Sequence, residues 1–328
     1  MHEVAALTWR ELIAVCGTAD LARAAVADGL YRRVLRGAYV RADVPDDSHA
    51  RSAALRRVLP DGAVLSHWAA LWALGLDVLP RDRARTAILD VTVGRGLHLQ
   101  ARPGLRPHSV ILPDEQLCSV GGLVVSSAAR ACVDVAHSFG LVEGVACGDA
   151  ALRAGAATEE QIAAAVERAS GLRGVLTARA VLPHLEPRSE SLMESRVRIG
   201  FVVAGGPRMP AQVDLYNADG EHCGRADLYL DGVVVEYDGR DERLKREKFA
   251  GDRRRQADIN DLSVEVRRFT ADDYYKTSGA GRLAVLRRAL VIAAGRSRPA
   301  LRFGPDTLRP PKLQPLPTLA AQRVKKAA

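Results

Sequence analysis

Arg225-Ala-Asp-Leu-Tyr-Leu-Asp-Gly-Val-Val-Val-Glu-Tyr-Asp238 reads as two strands joined by a two-residue turn. The flanking runs are rich in Val, Leu and Tyr, and Asp231-Gly232 is a dipeptide that tolerates the positive φ values of a type I′ hairpin turn. Such a turn fixes the register. Leu230 then pairs with Val233, Tyr229 with Val234 and Leu228 with Val235, which predicts Asp227 directly opposite Glu236. Alternation places Leu228, Leu230, Val233 and Val235 on one face, and Asp227, Glu236 and Asp238 on the other with Tyr229 and Val234. Carboxylates ~5 Å apart repel by roughly 3 kcal/mol at an effective dielectric of about 20. A hard divalent cation such as Mg²⁺ reverses the sign of that interaction. The alternative is a solvated face, on which Arg225, opposite Asp238 in this register, offsets part of the charge.

Outward from the hairpin, residues 186–295 read as α-β-β-β-α-β-α, a mixed sheet with helices packed against it. A helix starts near Pro187 and runs to Val203, with Ser191 and Glu194 spaced as a capping box. Ala211 to Tyr216 is a strand, and the register of its pairing with the next decides whether Gln212 shares the acidic face. A charged helix is predicted over about Arg243 to Asp261, carrying Lys248 and Arg253, followed by a strand over Ser263–Thr270 and a helix from Gly281 to Ala294.

Near the N-terminus, Thr8 to Cys16 and Leu21 to Ala27 read as short helices, the second capped by Thr18 or Asp20. A basic segment, Leu30 to Val40, follows with a glycine-centred turn. Helix, helix, basic element and wing is the order of a winged helix-turn-helix, which makes Arg32, Arg33 and Arg36 candidate DNA contacts against the plainer reading of a solvated basic face. Residues 43–185 read as a mixed α/β scaffold. Helices are expected over Arg51–Leu59, Ser66–Leu74, Ser126–Ala136, Leu141–Ala154 and Glu159–Ala169, and strands over Ile88–Val93 and Val120–Val125. His67, His98, His108 and His137 show no paired metal-ligand spacing and read as core or surface histidines.

Composition bounds the function. The 328 residues suffice for two or three domains, and no apolar run approaches the ~18 residues of a membrane span, so a cytoplasmic protein without membrane partners is expected. Five cysteines without a C-x-x-C pair suggest neither a zinc ribbon nor a disulfide framework. The formal net charge is +8, but residues 296–328 hold eight Lys or Arg against one Asp and supply seven of those charges. Six prolines also fall there, so this segment is expected to be a disordered basic tail. No Gly-rich phosphate loop argues for a nucleotide-dependent enzyme.

Taken together, Glu194 in Leu-Met-Glu-Ser-Arg, Asp227 in Arg-Ala-Asp-Leu, Val-Glu-Tyr-Asp-Gly, Asp252-Arg-Arg-Arg and Val-Arg-Arg-Phe-Thr270 resemble the PD-(D/E)XK nuclease superfamily. The nearer likeness is to its group related to very-short-patch-repair endonucleases. Residues 1–42, with Arg36-Gly37-Ala38-Tyr39, resemble the DNA-binding winged helix of AbiEi-type antitoxins. The resemblance implies a multidomain α/β chain in four parts: a winged helix (1–42), a scaffold (43–185), a restriction-endonuclease-like domain (186–295) and the tail (296–328). It implies Mg²⁺ or Mn²⁺ on Asp227 and Glu236, with Glu194 binding a second ion or orienting the water that attacks a phosphodiester bond. Asp238 stands where the pattern has Lys, so Lys248 or Arg253 would meet the transition-state charge, and Glu242 stands where many relatives carry His. Two functions stay open: a metal-dependent endodeoxyribonuclease, or a transcriptional regulator or type IV antitoxin with a silent nuclease fold and a cognate toxin or regulator as partner.

Overall fold

The computed structural model describes residues 5–60, 62–78, 89–93, 104–239, 262–296 and the two-residue strand 302–303. Among these the chain is mixed α/β, with eleven α-helices and three sheets. None of those helices is long and apolar enough to cross a membrane. Contacts divide the chain into two units, the first holding Met1–Ser138 and Ala154–Arg179, the second Phe139–Arg153 and Ala180–Lys312.

In the first unit, β1 (Leu7–Thr8), α1 (Trp9–Cys16), α2 (Ala19–Ala27), β2 (Tyr31–Leu35) and β3 (Ala38–Arg41) build a three-stranded antiparallel sheet, order β1-β3-β2. Thr8 and Glu11 form a reciprocal capping box at the start of α1, and Thr18 caps α2 by accepting from the Leu21 amide. The basic segment is therefore a strand and turn of a hairpin. There Arg32 donates to the carbonyls of Val44 and Pro45 at 3.0 Å each, while Arg33 and Arg36 are exposed.

The chain continues through α3 (Ser48–Arg56), β4 (Val64–Leu65), α4 (His67–Ala73), β5 (Leu89–Val93), β6 (Leu105–Ser109), β7 (Leu117–Val120), β8 (Leu123–Ser126) and α5 (Ala128–Phe139). Sheet order is β6-β5-β4-β8-β7, with β5/β6 and β4/β8 parallel and the remaining pairs antiparallel. Two expectations change here. The single strand over Val120–Val125 is a hairpin, because Gly121 and Gly122 take φ of 53° and 78° and reverse the chain. A Cβ at Gly121 would also lie 2.4 Å from that of Ser52. Asp47, four residues ahead of the expected helix region at Arg51, caps α3 through the Ala50 amide and so moves its start forward.

The helix α6 (Leu141–Arg153) belongs to the second unit, while α7 (Glu159–Arg168), with its Thr158–Gln161 capping box, returns to the first; α8 (Val175–Val181) follows. The second unit then runs α9 (Leu192–Val203), β9 (Ala211–Tyr216), β10 (His222–Leu230), β11 (Val233–Tyr237), β12 (Glu265–Phe269), α10 (Ala271–Lys276), α11 (Gly279–Ala294) and β13 (Arg302–Phe303). Its sheet has the order β12-β11-β10-β9-β13, antiparallel except for the β11/β12 pair. Leu228, Val233 and Val235 form one core face with Val197 and Phe201 of α9 and Leu283 and Leu286 of α11. Tyr229 and Val234 anchor a second cluster on the opposite face with Leu215 and Val264. The helix expected over 243–261 lies outside the described residues. The expectation of disorder throughout 296–328 is corrected at β13, where Arg302 pairs with Tyr216 and Phe303 with Leu215. Alternating backbone donors and acceptors at the β9 edge offer that segment a ladder despite its basic, proline-rich composition.

Candidate metal centre on the hairpin

The hairpin has the register its turn chemistry dictates: Leu228↔Val235, Tyr229↔Val234 and Leu230↔Val233, with φ of 44° at Asp231 and 85° at Gly232. The paired rungs end at Leu228↔Val235, one short of the expected Asp227–Glu236 pair. Asp227 Oδ2 accepts the Tyr237 amide at 2.8 Å, so this carboxylate folds along the partner backbone. On its other side β10 pairs with β9, Ala226↔Val213 and Leu228↔Ala211, which places Gln212 beside Asp227. Gln212 takes φ of 53°, a conformation that a non-glycine residue adopts at a cost of roughly 1–2 kcal/mol. Such strain gathers where side chains are held for a purpose.

Gln212 Nε2 donates to Glu194 Oε2 at 2.9 Å. Glu194 occupies the first turn of α9, whose cap is Ser191: the Glu194 amide donates to Ser191 Oγ at 3.1 Å. The carboxylate does not complete a capping box. It accepts instead from the Glu190 amide at 2.8 Å, which leaves it aimed at the sheet. Burial first, and then the charge of Asp227, push Glu194 up to about 7, against the opposing hydrogen bonds from Glu190, Ser191 and Gln212. Two acids from a helix and a strand, the first buried and the second half-buried, thus repel each other, an arrangement a divalent cation would relieve.

Glu236, also buried, is paired in parallel register with Arg268 on β12, and Arg268 Nε donates to its Oε2 at 3.0 Å. Asp238 lies just past β11 and is half-buried; its amide donates to Phe269 O at 2.9 Å. Arg225 does not offset Asp238. Its Nε donates to Asp214 of β9 at 2.8 Å, because the β9/β10 register puts those two residues opposite each other. Lys248, Arg253 and Glu242 lie outside the described residues.

Glu194, Gln212 and Asp227 are thereby brought together, with Glu236 and Asp238 on the adjoining strand. Arg268 was missed as the neighbouring cation, although Val-Arg-Arg-Phe-Thr270 contains it; only the parallel pairing of β11 with β12 reveals which acid it meets. The donors are all oxygens and mostly buried, which suits a hard ion such as Mg²⁺ or Mn²⁺ in kind. Glu194, Asp227 and Glu236 are each turned onto an N–H donor, and their ligand atoms do not form a set lying within 4.8 Å of one another. Among the described residues the group of His, Cys, Asp or Glu ligands that does converge, within 4.8 Å, is His67, Asp90 and His108.

No protein-family model matches the chain. Over 193 residues it is 28% identical to the uncharacterized protein Rv2248 of Mycobacterium tuberculosis strain ATCC 25618 / H37Rv. The same figures hold for the uncharacterized protein MT2308 of strain CDC 1551 / Oshkosh, the match covering 58% of this chain and 70% of either relative.

Proposed function

We propose that the second unit is a metal-dependent endonuclease-like domain of the PD-(D/E)XK type that hydrolyses phosphodiester bonds in DNA, joined to a winged-helix DNA-binding segment near the N-terminus. The observation that carries this reading is the Glu194–Gln212–Asp227 assembly, in which the strained Gln212 donates to the buried Glu194 and the charge of Asp227 acts on it, beside the acidic strand of Glu236. Asp227 and Glu236 would hold Mg²⁺ or Mn²⁺. The ion would polarise a phosphoryl oxygen and lower the pKa of an attacking water. Glu194, half-protonated near neutrality, is suited to accept or position that water's proton, and Arg268 is the described cation nearest the acids for the charge that develops on phosphorus. Arg33 and Arg36, exposed on β2 and its turn, would contact DNA phosphates, while Arg32 is committed to backbone carbonyls.

A second reading draws on one observation. Glu194, Asp227 and Glu236 each already accept from an N–H donor and Asp238 occupies the Lys position, as a silent nuclease fold in a regulator or antitoxin would allow. Calorimetric titration of Mn²⁺ and Mg²⁺ into wild type and Asp227→Asn, beside a plasmid-nicking assay, separates the two. The nuclease reading expects metal binding and metal-dependent nicking in wild type, with both lost by about 100-fold or more in the variant, the scale of removing one charged transition-state contact. Absence of metal binding and nicking in wild type, with DNA binding intact, selects the regulator.

A further inference from the structure

The first unit contains a second constellation, built on a helix start and two parallel strands. The Ser66 amide donates to the Asp90 carbonyl at 3.0 Å, which ties the entrance of α4 to β5. His67, the first residue of α4, takes φ of 51°, and Ser66 does not cap the helix as its position suggests; its Oγ lies 2.9 Å from His67 Nδ1. On β5 and β6 the pairs Asp90↔Arg106 and Thr92↔His108 put Asp90 and His108 on the same sheet face, two residues apart. His108 Nε2 reaches Asp90 Oδ1 at 2.7 Å, and the imidazoles of His67 and His108 stack with centroids 4.2 Å apart. Asp90 and His67 are buried, whereas the His108 side chain keeps 24% of its surface open and marks the entry side.

We propose that His67, Asp90 and His108 bind one divalent transition ion of the zinc class, through two imidazole nitrogens and one carboxylate oxygen, with a fourth position open. Three arguments support the site. One ligand atom from each residue lies within 4.8 Å of the other two, so closing the set needs only side-chain adjustment. Two nitrogens with one oxygen select a borderline ion over Mg²⁺ or Ca²⁺, which prefer oxygen alone. The surroundings also have the outer hydrogen bonds that orient metal-binding imidazoles: His67 contacts Ser66 Oγ through Nδ1 and Ser138 Oγ through Nε2 at 3.0 Å, so one serine holds the ring while the other yields to the ion. Arg106, 3.6 Å from Asp90 Oδ1 and 43% exposed, is the competing cation and would swing outward on binding. The hydrogen bonds alone would not require His67 to hold a left-handed backbone, which costs about 1–3 kcal/mol.

This site is independent of the hairpin acids. The test uses the full-length chain, stripped with chelator, titrated with Zn²⁺ against a chromophoric competitor and separately with Co²⁺ followed by visible absorption. Wild type and Asp227→Asn should each bind zinc at this site, and His108→Gln and Asp90→Asn should weaken that binding by more than the roughly 100-fold that loss of an outer hydrogen-bond partner can cause. Zn²⁺ should raise the thermal midpoint of wild type and leave that of His108→Gln unchanged. Cobalt should give ligand-field bands without the thiolate charge-transfer band that cysteine ligands would add. Zinc binding that is absent from wild type, or equal in His108→Gln, or accompanied by a thiolate band in Co²⁺-loaded wild type, overturns the proposal. The cobalt spectrum decides the matter even if both ligand variants fold poorly.

Discussion

Asp227 and Glu236 of the second unit are set on two strands joined by a two-residue turn, with Glu194 added from α9, whereas His67, Asp90 and His108 come from a helix start and two parallel strands. In the first case a local rule, the hairpin register, decides which side chains become neighbours. In the second, neighbours are decided by how parallel strands align, and no short-range pattern encodes that. Both places nonetheless contain a non-glycine residue in left-handed backbone, Gln212 beside Asp227 and His67 beside His108. Local strain therefore marks both regions, while sequence spacing marks only one.

The contrast can be broken at the helix that completes the hairpin site. Arg198 of α9 is fully buried, donates to Asp149 Oδ2 at 2.8 Å and to His184 O at 2.9 Å, and Asp149 also accepts from Ser195 and the Glu186 amide. Burial outweighs these partners and pushes Asp149 up to about 6. Arg198→Met leaves that buried carboxylate without its charge partner and should cost about 3–5 kcal/mol in chemical denaturation of the second unit. Mn²⁺ binding at the hairpin should fall with it and Zn²⁺ binding by the first unit should not. Unchanged Mn²⁺ affinity would mean that strand register alone builds the acidic site.

A smaller effect sharpens the role of Glu194. Its carboxyl titrates near 7 when folded and near 4.5 when unfolded, so between those values the folded chain holds the extra proton. Stability from this group is therefore full below pH 4.5 and lost as pH rises to 7. Glu194→Gln has no proton to lose and should be more stable than wild type at pH 8 by up to about 3 kcal/mol, with the difference vanishing near pH 4. Denaturant melts at both pH values, without metal, check this; a variant that is less stable at pH 8 would show that the hydrogen bonds of Glu194 outweigh its repulsion by Asp227.

The smallest change addresses the turn. Gly232 has φ of 85°, and Gly232→Ala should cost about 1–2 kcal/mol while the register, held by the buried Leu228–Val235 pair, survives. Thermal unfolding reads the cost, and retained Mn²⁺ affinity shows that the acids have not slipped.

Much of the second unit was legible because its signals are local. Asp231-Gly232 gave the turn and Leu228 to Val235 the faces, Ser191 gave the start of α9, and Ala211–Tyr216 is a strand over the expected span. What escaped depends on distant partners. Arg268 became the neighbour of Glu236 only through the parallel β11/β12 pair, and Glu194 reached the Glu190 amide instead of its own cap because Gln212 and the sheet lie on that side. The Gly121-Gly122 reversal was hidden inside a valine-rich run whose composition reads as continuous strand. For the histidines, spacing along the chain was the wrong measure, since His67 and His108 meet by stacking across elements 41 positions apart in the numbering.

The short β13 carries a consequence for the chain's behaviour in a crowded cell. Lying along β9, it occupies a sheet margin that would otherwise offer a row of open amides and carbonyls to any extended peptide. At Leu215 and Tyr216 the edge of β9 is thus taken by the chain's own backbone, which removes that end of the strand from edge-to-edge pairing with another chain.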